Sequence, residues 1–482
     1  MKTRITLLAS AILGVLTVLG QGFTEIQNIA DMNTTRYGHA AINLDDERVL
    51  VVGGHTTGFA LTATAEIYDA VANTWTQFNV PNPHDMMAFI RLNNGSYLFM
   101  GGCSSGYGVG QSVVTTIFDP VNNTFTAGPN MLVSRTNNTA ARLSNGNVLV
   151  VGNCYNTGNA ELYDYSLGQF VSVGTPVIER SHALVLPTSD GNAYILGGYG
   201  PFGGAGNTIV EEFNAGTNTF STVSNEIFDG ETGWYTAWNA MYREIEQTRL
   251  SDGRYVFLAY RVVNGETEYT LATFDPVSKT FARLMTTPSL PNYNESASES
   301  WAFWGNLIVD PTKDYIYINA HSNLTITHGE RLYTIDAVRG LLHIPTGATP
   351  MGYYMASGTR AWLNGNIMYT GGTYDGSNFT VANIVTVVSP LHSLAVSEYS
   401  DINAPFFAYP NPVIGTEFYV NLPEWAGGVL EMYNSNGVLV RRMEVPKGTT
   451  VLTIPRKGLL AGIYHLRLAS KMGVLNTRVV QQ

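Results

Sequence analysis

The residues most able to do chemistry in this sequence follow a recurring Gly-Gly or Gly-Asn pair. The phrases VLVVGGHTTG, YLFMGGCSSG and VLVVGNCYNTG begin at positions 49, 97 and 148, and the residues after their pairs are His55, Cys103 and Cys154. The later repeats place Tyr199, Arg261, His321 and Thr373 in the same slot. Such polar side chains can hydrogen-bond a ligand. The spacing therefore predicts a set of equivalent, chemically capable positions.

The chain has two cysteines, Cys103 and Cys154, and both occupy this slot. In an exported protein, two cysteines in neighbouring repeats predict a disulfide. Their Cα atoms must then lie within about 7 Å of each other. Free buried thiols and a metal site are the alternatives.

A second recurring phrase indicates the elements that hold these positions. It reads IYDAVANTW at residues 67–75, and its third residue recurs as Asp69, Asp119, Asp164, Asn214, Asp275 and Asp336. The spacings between these residues are 50, 45, 50, 61 and 61. Each unit contains a strand, an Asn-Gly or Asp-Gly turn, a strand that ends in glycine, a variable loop and two further short strands. This period predicts the four-stranded antiparallel blades of a β-propeller.

The slot residues are expected to share one face of the propeller with the starts of the first strands. Two strand reversals return the chain to the end of the blade where it began. The candidate ligand-binding residues on this face are His55, Tyr199, Arg261 and His321 from the loops and Arg36, His84, Arg135 and His182 from the strand starts. A polar ring around one propeller mouth is where a ligand is expected to bind.

Two long loops, 228–242 and 288–304, are expected to reach the same face. They carry the remaining candidates for ligand binding, Trp234, Trp238 and Trp301. Flat aromatic rings on loops can stack on sugars or on peptide side chains. Filling a gap between blades is the alternative for any one of these rings.

The repeats closely resemble kelch repeats, including those of the central domain of galactose oxidase. The resemblance lies in the glycine pairs, the Tyr-Asp-Pro-like corners and the Asn-Thr-Trp or Asn-Thr-Phe that comes after each corner. The resemblance covers about residues 23–390. It implies a seven-bladed kelch-type β-propeller. The segment 23–32 precedes the first blade, and we expect it to add the outer strand of the last blade, which would remove an unpaired sheet edge.

The ends of the chain predict export. Lys2 and Arg4 precede an apolar stretch up to Leu19, which is typical of a signal peptide over residues 1–20 and shorter than a membrane span. The propeller is then expected over 21–390 and a linker over 391–404. The net charge of −11 and the absence of a basic run disfavour nucleic acid and anionic membranes as partners.

Residues 405–482 are expected to form a small β-sandwich. They resemble the C-terminal sorting domain of the bacterial type IX secretion system, with the motif residues Tyr409, Pro410, Asn411, Pro412, Gly462 and Tyr464. The resemblance implies recognition by the secretion machinery and delivery to the cell surface or the medium. A fibronectin-like accessory domain is the alternative.

The sequence therefore predicts an all-β exported protein that binds a glycan or an extracellular protein through one propeller face. No catalytic residue and no cofactor are predicted. The resemblance to galactose oxidase implies a second candidate, a copper-dependent oxidase of carbohydrates or alcohols, because Cys103 or Cys154, Tyr199, His55 and His321 supply the residue types of that copper site.

Overall fold

The computed structural model divides the chain into two compact units, with the boundary after Leu391. It describes residues 23–26, 28–105, 110–153, 160–200, 206–236, 245–264, 266–284, 307–310, 314–320, 331–337, 341–343, 359–372, 381–390, 406–409, 411, 413, 415–422, 427–434, 438–459, 461–470 and 473–481.

The first complete repeat forms a four-stranded antiparallel sheet. Its strands run in chain order from the inside to the outside of the unit: β2 (Ala40–Asn43), β3 (Arg48–Val52), β4 (Thr64–Asp69) and β5 (Thr74–Asn79). Apart from Asn43 and Arg48, β2 and β3 are apolar and buried on both faces, whereas in β5 only Trp75 is buried. This pattern is expected when a sheet lies between two neighbours and exposes only its outer edge.

The next three repeats form sheets with the same order. Their strands are β6 (Ala88–Arg91), β7 (Tyr97–Met100), β8 (Thr115–Asp119) and β9 (Thr124–Ala127); β10 (Thr139–Arg142), β11 (Val148–Val151), β12 (Glu161–Asp164) and β13 (Gln169–Ser172); and β14 (Leu184–Pro187), β15 (Ala193–Leu196), β16 (Val210–Asn214) and β17 (Thr219–Ser224).

The fifth and sixth repeats keep this order with longer middle strands. They comprise β18 (Tyr235–Thr236), β19 (Tyr255–Val263), β20 (Glu266–Asp275) and β21 (Thr280–Arg283), followed by β22 (Leu307–Val309), β23 (Tyr315–Ala320), β24 (Arg331–Asp336) and β25 (Leu341–His343). A 3-10 helix, Ile245–Thr248, precedes β19.

The last sheet joins the two ends of the first unit. It contains β26 (Thr359–Leu363), β27 (Asn366–Thr370) and β28 (Val385–Pro390), and its outer strand is β1 (Phe23–Ile26). Phe23 pairs with Pro390 and Ile26 with Val387 in antiparallel register. The prediction that the segment before the first blade completes the last one is confirmed.

Hydrophobic clusters join each sheet to the next and close the ring. One cluster contains Val49 and Val51 of the first sheet together with Met368 and Val387 of the last. The other successive sheets share five further clusters of the same kind. The described residues of the first unit therefore form seven four-stranded blades in a closed ring, which is a seven-bladed β-propeller.

The corner phrase has a local physical role at the end of each third strand. The Oδ1 atom of Asp69 accepts hydrogen bonds from the backbone nitrogens of Val71 and Ala72, both at 2.9 Å. Asp164, Asn214 and Asp275 accept from the two equivalent nitrogens, and Asp119 accepts from the first. These Asx turns reverse the chain into the outer strand.

The second unit is a β-sandwich. One sheet contains β29 (Phe407–Tyr409), β30 (Glu417–Asn421) and β33 (Val451–Pro455), and the other contains β31 (Gly428–Asn434), β32 (Leu439–Val445), β34 (Gly462–Ser470) and β35 (Gly473–Gln481). Phe418, Val420 and Ile454 of the first sheet share a core with Leu430 and Leu466 of the second. The all-β, two-part architecture predicted from the sequence is confirmed.

Candidate functional site

The glycine pairs lie where neighbouring blades meet, at the end of each blade that carries the start of its first strand. We call this end the upper face. Gly53 has φ 68°, and a Cβ atom built on it would lie 2.1 Å from the carbonyl oxygen of His84 in the next blade. Gly101 and Gly371 are crowded in the same way by the next blade. The pairs are therefore glycine because the next blade leaves no room for a side chain.

In four blades, the second residue of the pair donates a backbone hydrogen bond to the next blade. The donor–acceptor pairs are Gly54 to His84 at 2.6 Å, Gly102 to Arg135 at 2.8 Å, Asn153 to Arg180 at 3.2 Å and Gly372 to Arg36 at 2.9 Å. The last of these joins the seventh blade to the first. The repeated phrase thus builds the contacts between blades, and the slot residues follow directly after those contacts.

Buried arginines tie the strands of blades 1, 3 and 4 together. The pairs are Arg36–Glu66 at 3.0 Å, Arg135–Glu161 at 2.7 Å and Arg180–Glu211 at 2.5 Å. In each blade, Nη1 also donates to the carbonyl of the glycine 17 residues later, namely Gly53, Gly152 and Gly197. We call each Arg–Glu pair a spoke.

The spokes change the role assigned to two candidate ligand-binding residues. Arg36 and Arg135 are both 0% exposed, so a ligand at the surface does not reach them. Burial of a guanidinium requires a paired charge, which Glu66 and Glu161 supply. These two arginines hold the blade together instead of facing solvent.

His84 takes the place of the arginine in blade 2. Its Nδ1 lies 2.9 Å from the carbonyl oxygen of Gly101, again 17 residues later, and its Nε2 lies 2.8 Å from Oγ1 of Thr116. Thr116 stands where the other blades have glutamate. Burial lowers the pKa of His84 to about 4, so the ring is neutral at pH 7. His84 is therefore a fourth, uncharged version of the spoke, and it does not face solvent.

His182 belongs to a different repeated feature. Gly38, Met86, Asn137 and His182 are equivalent residues, all with φ between 52° and 68°. The nitrogens of Met86, Asn137 and His182 each donate to the carbonyl of the preceding member, at 3.1 to 3.2 Å. We call this chain of backbone hydrogen bonds the belt. His182 is 9% exposed, its ring lies 6.3 Å from that of Tyr199, and burial lowers its pKa to about 4.

His55 lies inside a polar contact between blades 1 and 2. Its Nδ1 is 2.9 Å from Oδ2 of Asp85, and its ring meets that of Tyr37 edge-on at 4.5 Å. His55 is 1% exposed and Asp85 0%, and burial raises the pKa of Asp85. The pair fixes the slot side chain of blade 1 against the start of blade 2.

Cys103 occupies the same slot one blade further on. Its Sγ lies 3.4 Å from Oγ1 of Thr136 and 3.9 Å from Sδ of Met86. Cys103 is buried. Cys154 lies outside the described residues, so the disulfide between Cys103 and Cys154 stays a prediction.

The sequence alignment predicted that Arg261 lies in the loop slot of blade 5, but in the structure Arg261 lies within a strand. Strands β19 and β20 instead continue as one hairpin to Val263 and Glu266, and Arg261 pairs with Glu268 within it. Its Nε donates to Glu268 at 2.7 Å and its Nη1 to Glu231 at 3.2 Å. Arg261 is therefore a half-buried, charge-paired residue of a strand that projects at the upper face.

Trp234 lies beneath this charged group. Its ring is 2% exposed and packs edge-on against Phe228, with centroids 5.5 Å apart. The guanidinium groups of Arg261 and Arg283 lie 4.7 and 4.8 Å from its ring centre. The alternative role considered from the sequence, filling a gap, is the one that this burial supports.

Four tyrosines meet where blade 4 adjoins blade 5. Tyr235, Tyr260 and Tyr269 lie directly across from one another on β18, β19 and β20. Their ring centres are 5.5 and 6.1 Å apart, and the hydroxyl of Tyr199 lies 3.2 Å from that of Tyr260. We call these four residues the tyrosine cluster. It joins the slot residue of blade 4 to the hairpin of blade 5.

The hydroxyl groups of Tyr260 and Tyr269 stay protonated over a wide pH range. Burial raises the pKa of Tyr260 strongly, and the hydrogen bond with Tyr199 raises it further. Burial likewise raises the pKa of Tyr269 to about 12. Tyr199, Tyr235 and Tyr260 are half-buried, so each is partly exposed to solvent. The cluster can therefore both donate and accept hydrogen bonds beside aromatic surface.

The sequence reasoning missed the glutamates of the spokes. Glu66, Glu161 and Glu211 each stand three residues before the corner residue of their blade, inside a strand that is otherwise buried. A carboxylate at that position requires a partner. The recurrence of Glu with an arginine upstream could have identified the pairs.

Other candidates lie outside the described residues. These are His321, Trp238 and Trp301 among the candidate ligand-binding residues and Pro410 and Pro412 in the sorting motif. Within the described ranges, no group of three or more His, Cys, Asp or Glu side chains is arranged to hold a metal ion. Of the residue types considered for copper, Nδ1 of His55 contacts Asp85, and the hydroxyl of Tyr199 contacts that of Tyr260.

The sorting motif has structural roles in the second unit. Oδ1 of Asn411 accepts from the nitrogen of Val480 at 2.9 Å, which fixes the start of the unit to its last strand. Gly462 begins β34, and Tyr464 is buried in the core. Tyr409, in contrast, is 39% exposed on β29.

Comparison with known proteins identifies the second unit. Residues 408–482 match the family model of the secretion system C-terminal sorting domain. The protein is therefore one that the type IX system exports to the cell surface or beyond it. Within the described residues, no helix is both long enough and apolar enough to span a membrane.

No curated protein matches the sequence. Among solved structures, the chain is similar to a fungal alcohol oxidase described as a novel enzyme with catalytic diversity among the AA5 family, in complex with copper. The identity is 13% and the TM-score 0.55, with 96% of this chain and 100% of the oxidase covered. At this identity the similarity establishes a galactose-oxidase-like β fold and no activity.

Proposed function

We propose that this exported propeller binds a glycan or a protein outside the cell through its upper face. The observation that carries the proposal is the tyrosine cluster, in which the hydroxyl groups of Tyr199 and Tyr260 lie 3.2 Å apart. Partly exposed tyrosines combine aromatic contact area with hydrogen bonding and lose little side-chain entropy on binding.

The projecting hairpin of blade 5 supports the same location. It carries Tyr260 and Arg261, and Val262 beside them is 59% exposed. The buried candidates Arg36, His84, Arg135 and His182 act behind this surface by fixing the blades that present it. Loops on a rigid scaffold are the usual location of binding residues.

The test uses the full-length protein as it is released by the cell. Binding to a glycan array and capture of proteins from the outer cell surface are measured for the wild type, Tyr260→Ala and Val262→Glu. We expect each change to reduce retention at least tenfold, because each alters the upper face directly.

A matched control lies at the opposite end of a blade. Val121, in the corner turn after β8, is 85% exposed, and Val121→Ala should leave retention unchanged. Equal retention by Tyr260→Ala, Val262→Glu and Val121→Ala, with melting temperatures unaltered, would contradict the proposal.

A copper-dependent oxidase is the second candidate, and one observation favours it. The similar fungal protein is an alcohol oxidase in complex with copper. In the test, the exported protein is loaded with copper, bound copper is counted by elemental analysis, and peroxide release is assayed on sugars and simple alcohols. One copper per chain together with peroxide release would replace the binding proposal with the oxidase.

The remaining assignments from the sequence belong to the same proposal. We infer that residues 1–20 act as a signal peptide, that the blades are kelch repeats and that 391–404 is a linker. Sequencing the amino terminus of the exported protein tests the first of these. A terminus at Gln21 is the expected result.

A further inference from the structure

The chemistry of the tyrosine cluster limits the class of ligand that it can bind. Its four phenols contribute hydroxyl groups that can each donate and accept a hydrogen bond. The ring centres of Tyr235 and Tyr269 lie 5.5 and 6.1 Å from that of Tyr260, and the hydroxyl of Tyr199 lies 3.2 Å from that of Tyr260, so the four phenols are close neighbours. A ligand bound here meets several neutral hydroxyl groups at once.

The charges nearest to the cluster are already compensated. Arg261, next to Tyr260 in the chain, is paired with Glu268 and Glu231. Arg283 is paired with Glu231 as well, and both guanidinium groups lie against Trp234. Among the described residues around the cluster, these pairs provide no net positive charge for an anionic ligand.

Tyr235 and Tyr260 add partly exposed apolar surface, whereas Tyr269 is 8% exposed and packs into the core shared with the next blade. Tyr235, Tyr260 and Tyr269 follow one another across three adjacent strands, with neighbouring rings tilted by 35° and 40°. The three rings form a row because the three residues are direct cross-strand partners on adjacent strands. A row of aromatic rings that carry hydroxyl groups suits a chain-like ligand that has both apolar faces and hydroxyl groups.

We infer that the upper face binds a neutral oligosaccharide through the tyrosine cluster and discriminates against acidic glycans. Sugar hydroxyl groups exchange donor and acceptor roles as phenols do, and the apolar face of a sugar ring packs on an aromatic ring. The carboxylate of an acidic sugar would lose its hydration on binding without gaining a cationic partner from the protein. This inference rests on the proposed function, since it specifies the ligand of the same face.

The experiment compares two polysaccharide probes. Retention of the full-length exported protein is measured by affinity electrophoresis in a soluble neutral β-glucan and in polygalacturonate, which carries one carboxylate per sugar. We expect binding to the neutral polymer and at least tenfold weaker binding to the acidic one. Tyr199→Phe and Tyr260→Phe, which keep the rings and remove one hydroxyl group, should each weaken binding about fivefold.

The control variant is Tyr165→Phe. Tyr165 is half-buried and follows the corner residue Asp164 at the opposite end of blade 3, so the change should not affect binding. Circular dichroism and melting temperature confirm that each Phe variant is folded.

The outcomes separate this inference from the proposed function. Equal or stronger retention by polygalacturonate would overturn the inference, as would neutral binding that is unchanged in both Phe variants. Capture of a protein only, lost in Val262→Glu, would overturn it and leave the proposed function standing. Capture that no upper-face variant reduces would reject both.

Discussion

The backbone nitrogen of Gly372 lies 2.9 Å from the carbonyl oxygen of Arg36, which joins the last blade of the ring to the first. The same contact recurs from Gly54 to His84 and from Gly102 to Arg135. The closing interface is therefore built like the interfaces inside the ring.

The closing contact predicts a large cost for a side chain at Gly371. A Cβ atom there would lie 2.4 Å from the carbonyl oxygen of Arg36, and φ is 61°. Gly365→Ala is the matched control, because φ is 77° but no atom lies within 4 Å. We expect the control to lower the free energy of unfolding by about 1–2 kcal/mol, from backbone strain alone. Gly371→Ala should cost roughly 2 kcal/mol more, measured by urea denaturation. An equal loss of unfolding free energy in Gly371→Ala and Gly365→Ala would contradict close packing of Gly371 against Arg36.

The spokes predict strong coupling between buried charges. Glu161→Leu leaves Arg135 buried and unpaired, and we expect a loss of about 3–5 kcal/mol in the free energy of unfolding. Arg135→Met combined with Glu161→Leu should recover at least half of this loss. The exposed pair Asp252–Arg254 is the control, and Asp252→Asn should cost under about 1 kcal/mol. A double variant no more stable than Glu161→Leu would show that the charges are not coupled.

In blade 2, which has no Arg–Glu spoke, the reverse test introduces one by substitution. His84→Arg and Thr116→Glu each bury one unpaired charge, so each alone should destabilise the protein by several kcal/mol. Together they recreate the arrangement of Arg36 and Glu66, because His84 already contacts the glycine 17 residues later. The double variant should be at least about 2 kcal/mol more stable than the sum of the single losses. Simple additivity in denaturation curves would count against the equivalence of the four blades.

Buried histidines predict a loss of stability on acidification. The pKa of His84 and of His182 is about 4 in the folded protein, against about 6.5 in an unfolded chain. Between these values the unfolded state binds more protons, so the free energy of unfolding falls as the pH falls from about 6.5 to 4. The raised pKa of Asp85 acts in the opposite direction above about pH 3.8, because the folded state then keeps a proton that the unfolded state has lost.

The variant His84→Gln isolates one of these groups. It should reduce the slope of unfolding free energy against pH by about 1.4 kcal/mol per unit within that window. Denaturation at a series of pH values measures the slope. An unchanged slope would mean that His84 is not buried in its neutral form.

The sorting domain predicts a change of location. Deletion of residues 405–482 should stop export across the outer membrane and leave the propeller in the periplasm. Cell fractionation with antibody detection measures this, and the full-length protein in the same cells is the control. Continued appearance of the truncated protein in the medium would contradict the role of this domain.

Much of the fold could be predicted because its determinants are local and repeated. The corner Asp residues build Asx turns from their own next two or three residues, and the glycine pairs carry a conformation that other residues resist. Even the long-range pairing of β1 with β28 followed from the missing outer strand of the last repeat. Equivalent residues in successive repeats made the pattern visible without any structure.

The site was harder to predict because residue type does not reveal burial. Arg36, His84 and Trp234 have the chemistry of binding residues, but each is covered by a neighbouring blade or strand. Blade 5 lacks the glycine pair, so aligning it with the others gave Arg261 a loop position that it does not have. The cross-strand row of Tyr235, Tyr260 and Tyr269 depends on register, which the spacing of the repeats did not fix.

The pairing of β1 with β28 also sets the order in which this protein can fold. Phe23 and Pro390 are partners, and almost the whole propeller lies between them in the chain. Contacts between such distant segments form slowly, because the loop that they close carries a large entropic cost until the intervening blades are in place. We therefore expect completion of the ring to follow formation of the intervening blades, and a chain that has not reached residue 390 still has an open sheet edge.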